Sequence, residues 1–314
     1  MHGITVIDKI DERREEWLEA RKGRIGSSEI GCIAGLNWFK SALELWAEWT
    51  GKKESTLNDD EPFLVFGRTN EPLVRRLTAE KLGKHLWPVN ALYAHPEHEW
   101  ASASPDAFYG EPGLFCEPEG ACELKTATLK ADHMWSEERG PEFYFCQLQW
   151  QLGVLGLPEG YLSCMIGGDP RDVRSPFYKF DAAAFESLLE LGDNFRRCVE
   201  QDIPPDPGPG DAKLIQQITG RKKGLSVTLN AAEAEQIEAL ILELRPLKAE
   251  KSTHDAAVKE LKNKISALEN KVKLVLGKAE IGVLPDGREI CATIVSRNGY
   301  TVQPCQYTQV KLPR

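Results

Sequence analysis

Asp106, Glu123 and Lys125 are the residues of this 314-residue chain whose types and spacing carry the most chemistry. Asp106 stands in the run ASASPDAF, and CELKTAT follows, its glutamate 17 positions after the aspartate. On a strand, side chains alternate between faces, so Glu123 and Lys125 share one face while Leu124 takes the other. With Asp106 at the end of the neighbouring strand, two carboxylates and one ammonium converge on a point. A hard divalent cation takes such oxygen ligands, and the Leu124 carbonyl can add another. The lysine then orients or deprotonates an attacking water, or stabilises charge developing on a phosphate. Glu-x-Lys alone is a weak pattern, because charged residues alternate on many exposed strands. Its surroundings strengthen it. Ser-Pro-Asp ends a strand, and Pro112, Gly113 and Gly120 read as hairpin turn residues. Cys122, Leu124 and Ala127 mark a largely buried strand, where a paired Glu and Lys need a reason.

The elements that must position these groups follow from periodicity and turn residues. A helix is expected over 8–22 and an apolar helix after the Gly/Ser turn of RIGSSEIGCIAGLN, with Ser27 or Ser28 as N-cap. Another helix covers 41–50, closed by Gly51. FLVFGRTNEPLVRRLTAEKLG reads as a helix with Pro72 in its first turn. Three strand-like runs, ALYAHP, EWASASPDAFYG and GACELKTA, precede a helix at 141–156, a strand at GYLSCMIGG and a helix at 181–202. The Pro/Gly-rich IPPDPGPG is the clearest linker. From about 229 to 276 an apolar seam (Ile237, Leu240, Ile241, Leu244, then Val258, Leu261, Ile265, Leu268, Val272, Val275) suggests two helices or a helical hairpin broken or kinked at Pro246. That segment reads as a helical layer on the main domain, or alternatively as a projecting arm for DNA or subunits. A hairpin, VLPDGREICATIV, and a strand, YTVQP, close the sequence. The boundaries expected are a core over 1–205 and a C-terminal helical segment with terminal strands over 206–314.

Bulk properties exclude little. Hydrophobic residues are 41% and charged residues 28% of the chain, as in ordinary globular proteins. No run approaches the roughly 20 apolar residues of a membrane span, and the N-terminus lacks a signal-peptide core, so a cytoplasmic location is expected. Eight cysteines are scattered without a C-x-x-C pair, which makes a zinc site a poor expectation. The net charge of −9 leaves nucleic acid open as a partner. Steering depends on where charge sits, and basic residues cluster at Arg21–Arg24, Arg75–Arg76 and Arg221–Lys223.

Five blocks in order, EARKGRIGSSEIGCIAG, FGRTNEPLVRRLTAEKLG, ASASPDAF, CELKTAT and YFCQLQWQLGVLG, resemble the YqaJ viral recombinase family of phage-lambda-type exonucleases. They cover residues 15–165. The resemblance implies an α/β fold of the PD-(D/E)xK, restriction-endonuclease-like kind: a mixed central sheet flanked by helices, here with a C-terminal helical extension and small β hairpin. It implies that Asp106 and Glu123 hold the metal ions, Mg²⁺ or Mn²⁺ and two per site, and that Lys125 serves the attacking water. Glu71, placed at the start of its helix, would approach the same site, although a first-turn carboxylate at a helix dipole is common. Gln147 would orient the lysine or the phosphate; Gln149 points elsewhere on that helix.

Arg21 and Ser28 match the pair that binds a terminal 5′-phosphate in lambda-type enzymes, a role that suits a guanidinium and a serine at a helix N-terminus. Arg24 and Ser27 are possible substitutes, Lys40 a second cation, and Trp38 the best candidate for contacting DNA; Trp17 and Trp46 read as core. The implied activity is degradation of one strand of linear duplex DNA from its 5′ end to mononucleotides, leaving 3′ overhangs for recombination. A homotrimeric ring, a single-strand annealing partner and a phage or prophage origin in a bacterial cytosol come with it. An endonuclease on the same fold and a non-catalytic DNA-binding recombination protein are the alternatives.

Overall fold

The computed structural model describes residues 3–37, 39–55, 60–111, 117–220, 225–276, 278–286 and 288–291. Trp38, the turn residues Pro112 and Gly113, the basic run Arg221–Lys223 and the YTVQP strand lie outside them. The chain opens β1 (Ile4–Asp8), α1 (Arg14–Arg21), α2 (Ser27–Ile33), α3 (Ala42–Trp49), α4 (Pro62–Leu82), β2 (His85–Pro88), β3 (Ala91–Ala94), β4 (Ser102–Ala103), β5 (Ala107–Gly110) and β6 (Gly120–Ala127). A 3₁₀ turn (Leu129–Met134) leads to α5 (Glu142–Leu155), β7 (Glu159–Ile166), β8 (Val173–Arg174), β9 (Phe177–Lys179), α6 (Ala182–Glu200) and α7 (Ala212–Thr219). Then come α8 (Ala231–Leu276), β10 (Ile281–Val283) and β11 (Glu289–Cys291).

Several expected elements move. The helix expected over 8–22 shortens to Arg14–Arg21, because Ile4–Asp8 pairs antiparallel with β3 and Lys9 takes a left-handed backbone that ends the strand. Gly26, rather than Ser27 or Ser28, caps α2, and the Glu29 side chain returns to accept from the Gly26 N–H. α4 begins ten residues before Pro72. Glu61 caps it by accepting from Phe63 and Leu64, and Pro62 fills the first turn, so Pro72 lies inside the helix. EWASASPDAFYG splits at Pro105-Asp106 into β4 and β5, which join different sheets.

The larger sheet has the order β2-β5-β6-β7-β8, with β9 also on β7. It is mixed: β2-β5-β6 is antiparallel, β6-β7 is parallel, and β8 and β9 return antiparallel. The mixed α/β architecture expected is thus the one observed. Pleating gives each face of β6 its own cover. Cys122 and Leu124 pack with Val74 of α4, Met165 and Val173. Ala121, on the other face, packs with Leu148, Leu152 and Leu155 of α5. A third cluster joins α2, α3, α5 and α6 around Ile30, Trp46, Trp150 and Phe185. Close approach of α2 to α5 depends on Gly31, where an added Cβ would lie 2.3 Å from the Phe143 ring.

This unit runs from Met1 to Gly220, beyond the boundary expected at 205. α7 belongs to it because Leu214 enters the third cluster, while Asp211 accepts from Ser41 at 2.7 Å. The second unit begins at Arg221. Its α8 is a single helix of 46 residues, with Pro246 inside it, where two helices or a hairpin were expected. Asn230 and Glu233 cap it reciprocally. One lost helix bond at Pro246 costs about 3 kcal/mol, and the Ala-, Leu-, Glu- and Lys-rich turns on both sides propagate the helix across it. No described residue of α8 is buried. β10 and β11 form the expected hairpin.

Candidate active site

The register of β5 against β6 determines where the acidic groups meet. Pairing ends at Ala107↔Cys122, so the next N–H of β6 facing β5, that of Leu124, has no strand partner on that side. Asp106 supplies one: its carboxylate accepts from Leu124 N at 2.7 Å. A strand residue directs its carbonyl to the same edge as its own N–H, so the Leu124 carbonyl also leaves β6 beside Asp106. Glu123, one residue earlier, projects toward α5 and is 1% exposed.

Every oxygen of Glu123 meets a donor. The Lys125 ammonium and Gln147 Nε2 both bond Oε1. Gln151 Nε2 reaches Oε2 at 2.6 Å and the Ser27 hydroxyl at 3.3 Å. Gln147 and Gln151 are four apart on α5 and so share a face. Gln149 lies on another side, where its amide donates to the Lys179 carbonyl at 3.0 Å and accepts from Asp181 N at 2.8 Å. Sequence reasoning singled out Gln147 and missed Gln151, although the same spacing signals both. It also missed Tyr144, whose ring centre is 5.0 Å from the Lys125 ammonium.

Charge at this point is unbalanced. Burial raises the Asp106 carboxyl well above its ordinary range; Glu123 and Glu71 raise it further, against the opposing pull of Lys125 and the Leu124 N–H. Burial likewise raises Glu71, with Glu123 adding to the shift while Arg75 and Lys125 oppose it. Glu71 therefore senses the site, but from the middle of α4 rather than from a first turn, which removes the helix-dipole explanation for it. Burial alone would lower Lys125; the Glu123 and Asp106 carboxylates outweigh it and hold the ammonium charged.

Three carboxylates thus crowd one lysine, more negative charge than that ammonium offsets. Among the described residues no group of three or more His, Cys, Asp or Glu is arranged to hold an ion. The donor set is instead two carboxylates and a backbone carbonyl. That suits an ion of the magnesium type, which keeps several waters and takes one or two protein carboxylates. Gln151 Oε1 adds a buried acceptor that lacks a hydrogen-bond partner among the described residues.

The expected phosphate residues divide. Arg21 donates to Glu29 at 2.6 Å and lies over the Trp17 ring, while Ser28 donates to the other Glu29 oxygen at 3.2 Å. Both therefore gather at the start of α2. Arg24 instead bonds the carbonyls of Ala20 and Glu99, and Lys40 pairs with Glu48 at 2.7 Å. The structure does not bring those two to Glu29. Trp46 is core, as expected.

Residues 16–158, which contain this site, match the model of the YqaJ-like viral recombinase domain, and with that match the resemblance carried by the five blocks stands. The chain is 27% identical over 293 residues to the uncharacterised protein YqaJ of Bacillus subtilis strain 168, covering 90% of this chain and 84% of that one. Among solved structures it is similar to an alkaline exonuclease (LHK-Exo) from Laribacter hongkongensis, at 19% identity and a TM-score of 0.49, covering 60% of this chain and 94% of that one. The same exonuclease in complex with dAMP matches at 17% identity and a TM-score of 0.48, covering 66% and 98%. Among the described residues no helix is long and apolar enough to cross a membrane.

Proposed function

We propose that this chain is a divalent-metal-dependent nuclease that degrades one strand of linear duplex DNA from its 5′ end. On this reading it releases mononucleotides and leaves a 3′ overhang for recombination. The observation that carries the proposal is the meeting of Asp106, Glu123 and Lys125 where β5 stops pairing with β6. The family match over the same residues supports it.

Asp106, Glu123 and the Leu124 carbonyl would hold Mg²⁺ or Mn²⁺, two ions in the family reading, which supply Lewis-acid charge to the scissile phosphate and acidify water. The rest falls to the chain's own groups. Lys125, kept charged by its neighbours, orients the attacking water and offsets negative charge on the phosphate; as an ammonium it has no lone pair to accept a proton. Gln147 and Gln151 hold Glu123 in one rotamer while its charge is shared. Glu71 adds an acidic group at the rim. Arg21 and Ser28 would take a terminal 5′-phosphate in place of the Glu29 carboxylate that now occupies both. A homotrimeric ring and a single-strand annealing partner complete the family reading.

One observation favours internal cutting on the same fold: Glu29 already satisfies the two groups that an end-recognising pocket needs. The test incubates the protein with Mg²⁺ and linear duplexes bearing 5′-phosphate or 5′-hydroxyl ends, beside a closed circular duplex, with Lys125→Ala as control. Mononucleotides released only from phosphorylated linear DNA, and not by the variant, are expected. Cutting of the circle would establish the endonuclease instead. Binding without cleavage in either metal would leave a non-catalytic DNA-binding protein.

A further inference from the structure

α8 carries a heptad repeat that the candidate active site does not use. With Ile237 as a, the a positions are Ile237, Leu244, Lys251, Val258, Ile265 and Val272, and the d positions are Leu240, Leu247, His254, Leu261, Leu268 and Val275. Ten of these twelve are apolar, across a helix that the structure shows to be continuous. A 3.5-residue period kept this long exceeds the three to four heptads that mark a coiled coil, and a globular helix would drift off it. The seam is open: Leu240, Leu261 and Leu268 are 57%, 58% and 62% exposed.

The side-chain types select the partner. β-Branched residues fill four of the six a positions, and leucine fills four of the six d positions, the distribution that favours two parallel strands. Edge charges agree. In a parallel pair each g residue faces the e residue five positions later on the other helix. That sets Glu243 against Lys248 and Lys264 against Glu269, both attractive. The one repulsive pair, Glu250 against Asp255, brackets the one place where the seam turns basic, at Lys251 and His254. Within one helix Lys251 already reaches Asp255 at 2.5 Å and His254 lies 3.7 Å from Glu250. Two helices in register would thus surround two lysines and two histidines with four carboxylates.

We propose that α8 forms a parallel, in-register, two-stranded coiled coil with α8 of a second copy of this chain. The polar Lys251–His254 layer sets register and strand number, at some cost in stability.

The full chain is tested by light scattering over a range of concentrations, as wild type and as Leu261→Glu/Leu268→Glu. Halving of the mass in the double variant is expected, whether or not the catalytic units associate separately. Register is read by mild oxidation of Val272→Cys, at an a position near one end of the seam, and Asn270→Cys, on the outer face. Wild type on the same non-reducing gel gives the baseline from native cysteines. A cross-linked dimer above that baseline is expected for Val272→Cys and not for Asn270→Cys. If the double variant loses helix by far-UV circular dichroism, the cysteine pair still decides. Equal masses for wild type and double variant would mean that the seam is covered within its own chain, and would overturn the proposal. A fall to one third would overturn two-strandedness. Cross-linking no greater at Val272→Cys than at Asn270→Cys would overturn parallel pairing.

Discussion

β6 and α8 both place charged residues inside an apolar pattern, and the surroundings give those charges different meanings. On β6 the chain covers both faces, with α4 on one and α5 on the other, and Glu123 is enclosed with donors on each oxygen. Enclosing a carboxylate there costs several kcal/mol unless each lone pair is met. The fold meets them with a lysine and two glutamines, which a core serving stability alone would have replaced with leucine. On α8 the charges are exposed. Lys251 and His254 interrupt a seam that is otherwise apolar, and their partners lie one turn away on the same helix. A buried charge with dedicated partners thus points to chemistry, and a polar step in an open apolar seam to register. Substitutions that exchange charge for bulk should separate the two cases.

Lys125→Ala should have the largest effect. It removes the ammonium that orients water and offsets phosphate charge, and the cleavage rate on a labelled linear duplex should fall about 10²–10⁴-fold. Lys251→Ala, the same change on α8, should leave the single-turnover rate unaltered. Equal losses would end the distinction between the regions.

Asp106→Asn should split stability from activity. The amide keeps an oxygen to accept from Leu124 N but no longer adds charge beside Glu123 and Glu71. Without divalent metal, relief of that crowding should stabilise the variant by about 1 kcal/mol, or roughly 2–4 °C in thermal midpoint for a unit of this size. Cleavage should be lost in the same protein. A midpoint below wild type would mean that the carboxylate serves the fold rather than the site.

The three glutamines of α5 test the idea at finer scale. Gln149→Leu leaves Lys179 O and Asp181 N without their partner. It should destabilise the unit by about 1–3 kcal/mol in urea unfolding with little change in the rate constant of the folded fraction. Gln151→Leu should do the reverse, lowering the rate constant more than the midpoint, because it frees one oxygen of Glu123. If both variants lose stability alike, Gln151 is only a core residue.

How much of this was legible depended on whether an interaction was local. The strand GACELKTA, the α5 helix and the alternation that puts Glu123 and Lys125 on one face all follow from periods of 2 and 3.6 read along the chain. The site residues themselves came partly from that alternation and partly from family resemblance. Misplaced features depended on groups that periodicity does not register. Glu61, a side chain in an otherwise polar loop, starts α4 ten residues early and moves Glu71 to mid-helix. β1 exists because β3 pairs with it more than 80 positions away in sequence. Arg24 and Lys40, plausible phosphate cations by position, are occupied by carbonyls and by Glu48. In α8 the seam was visible and its continuity was not, because a proline usually ends a helix and here stands inside one.

The smallest expected effect bears on that seam. Replacing Lys251 with isoleucine makes the a layer apolar and should add about 1.5 kcal/mol per chain to the paired helices, the gain from burying one such side chain. The thermal midpoint followed at 222 nm should rise and become less dependent on protein concentration. The same change removes the charge that opposes Glu250 and Asp255, so pairing should become less selective: light scattering should show species beyond the dimer, because a polar residue at an a position is what restricts register and strand number. A stabilised variant that remains strictly dimeric would move the specifying role from Lys251 to His254. A variant no more stable than wild type would mean that residue 251 never enters an interface, and the difference between a charge held for chemistry and one held for register would lose its second half.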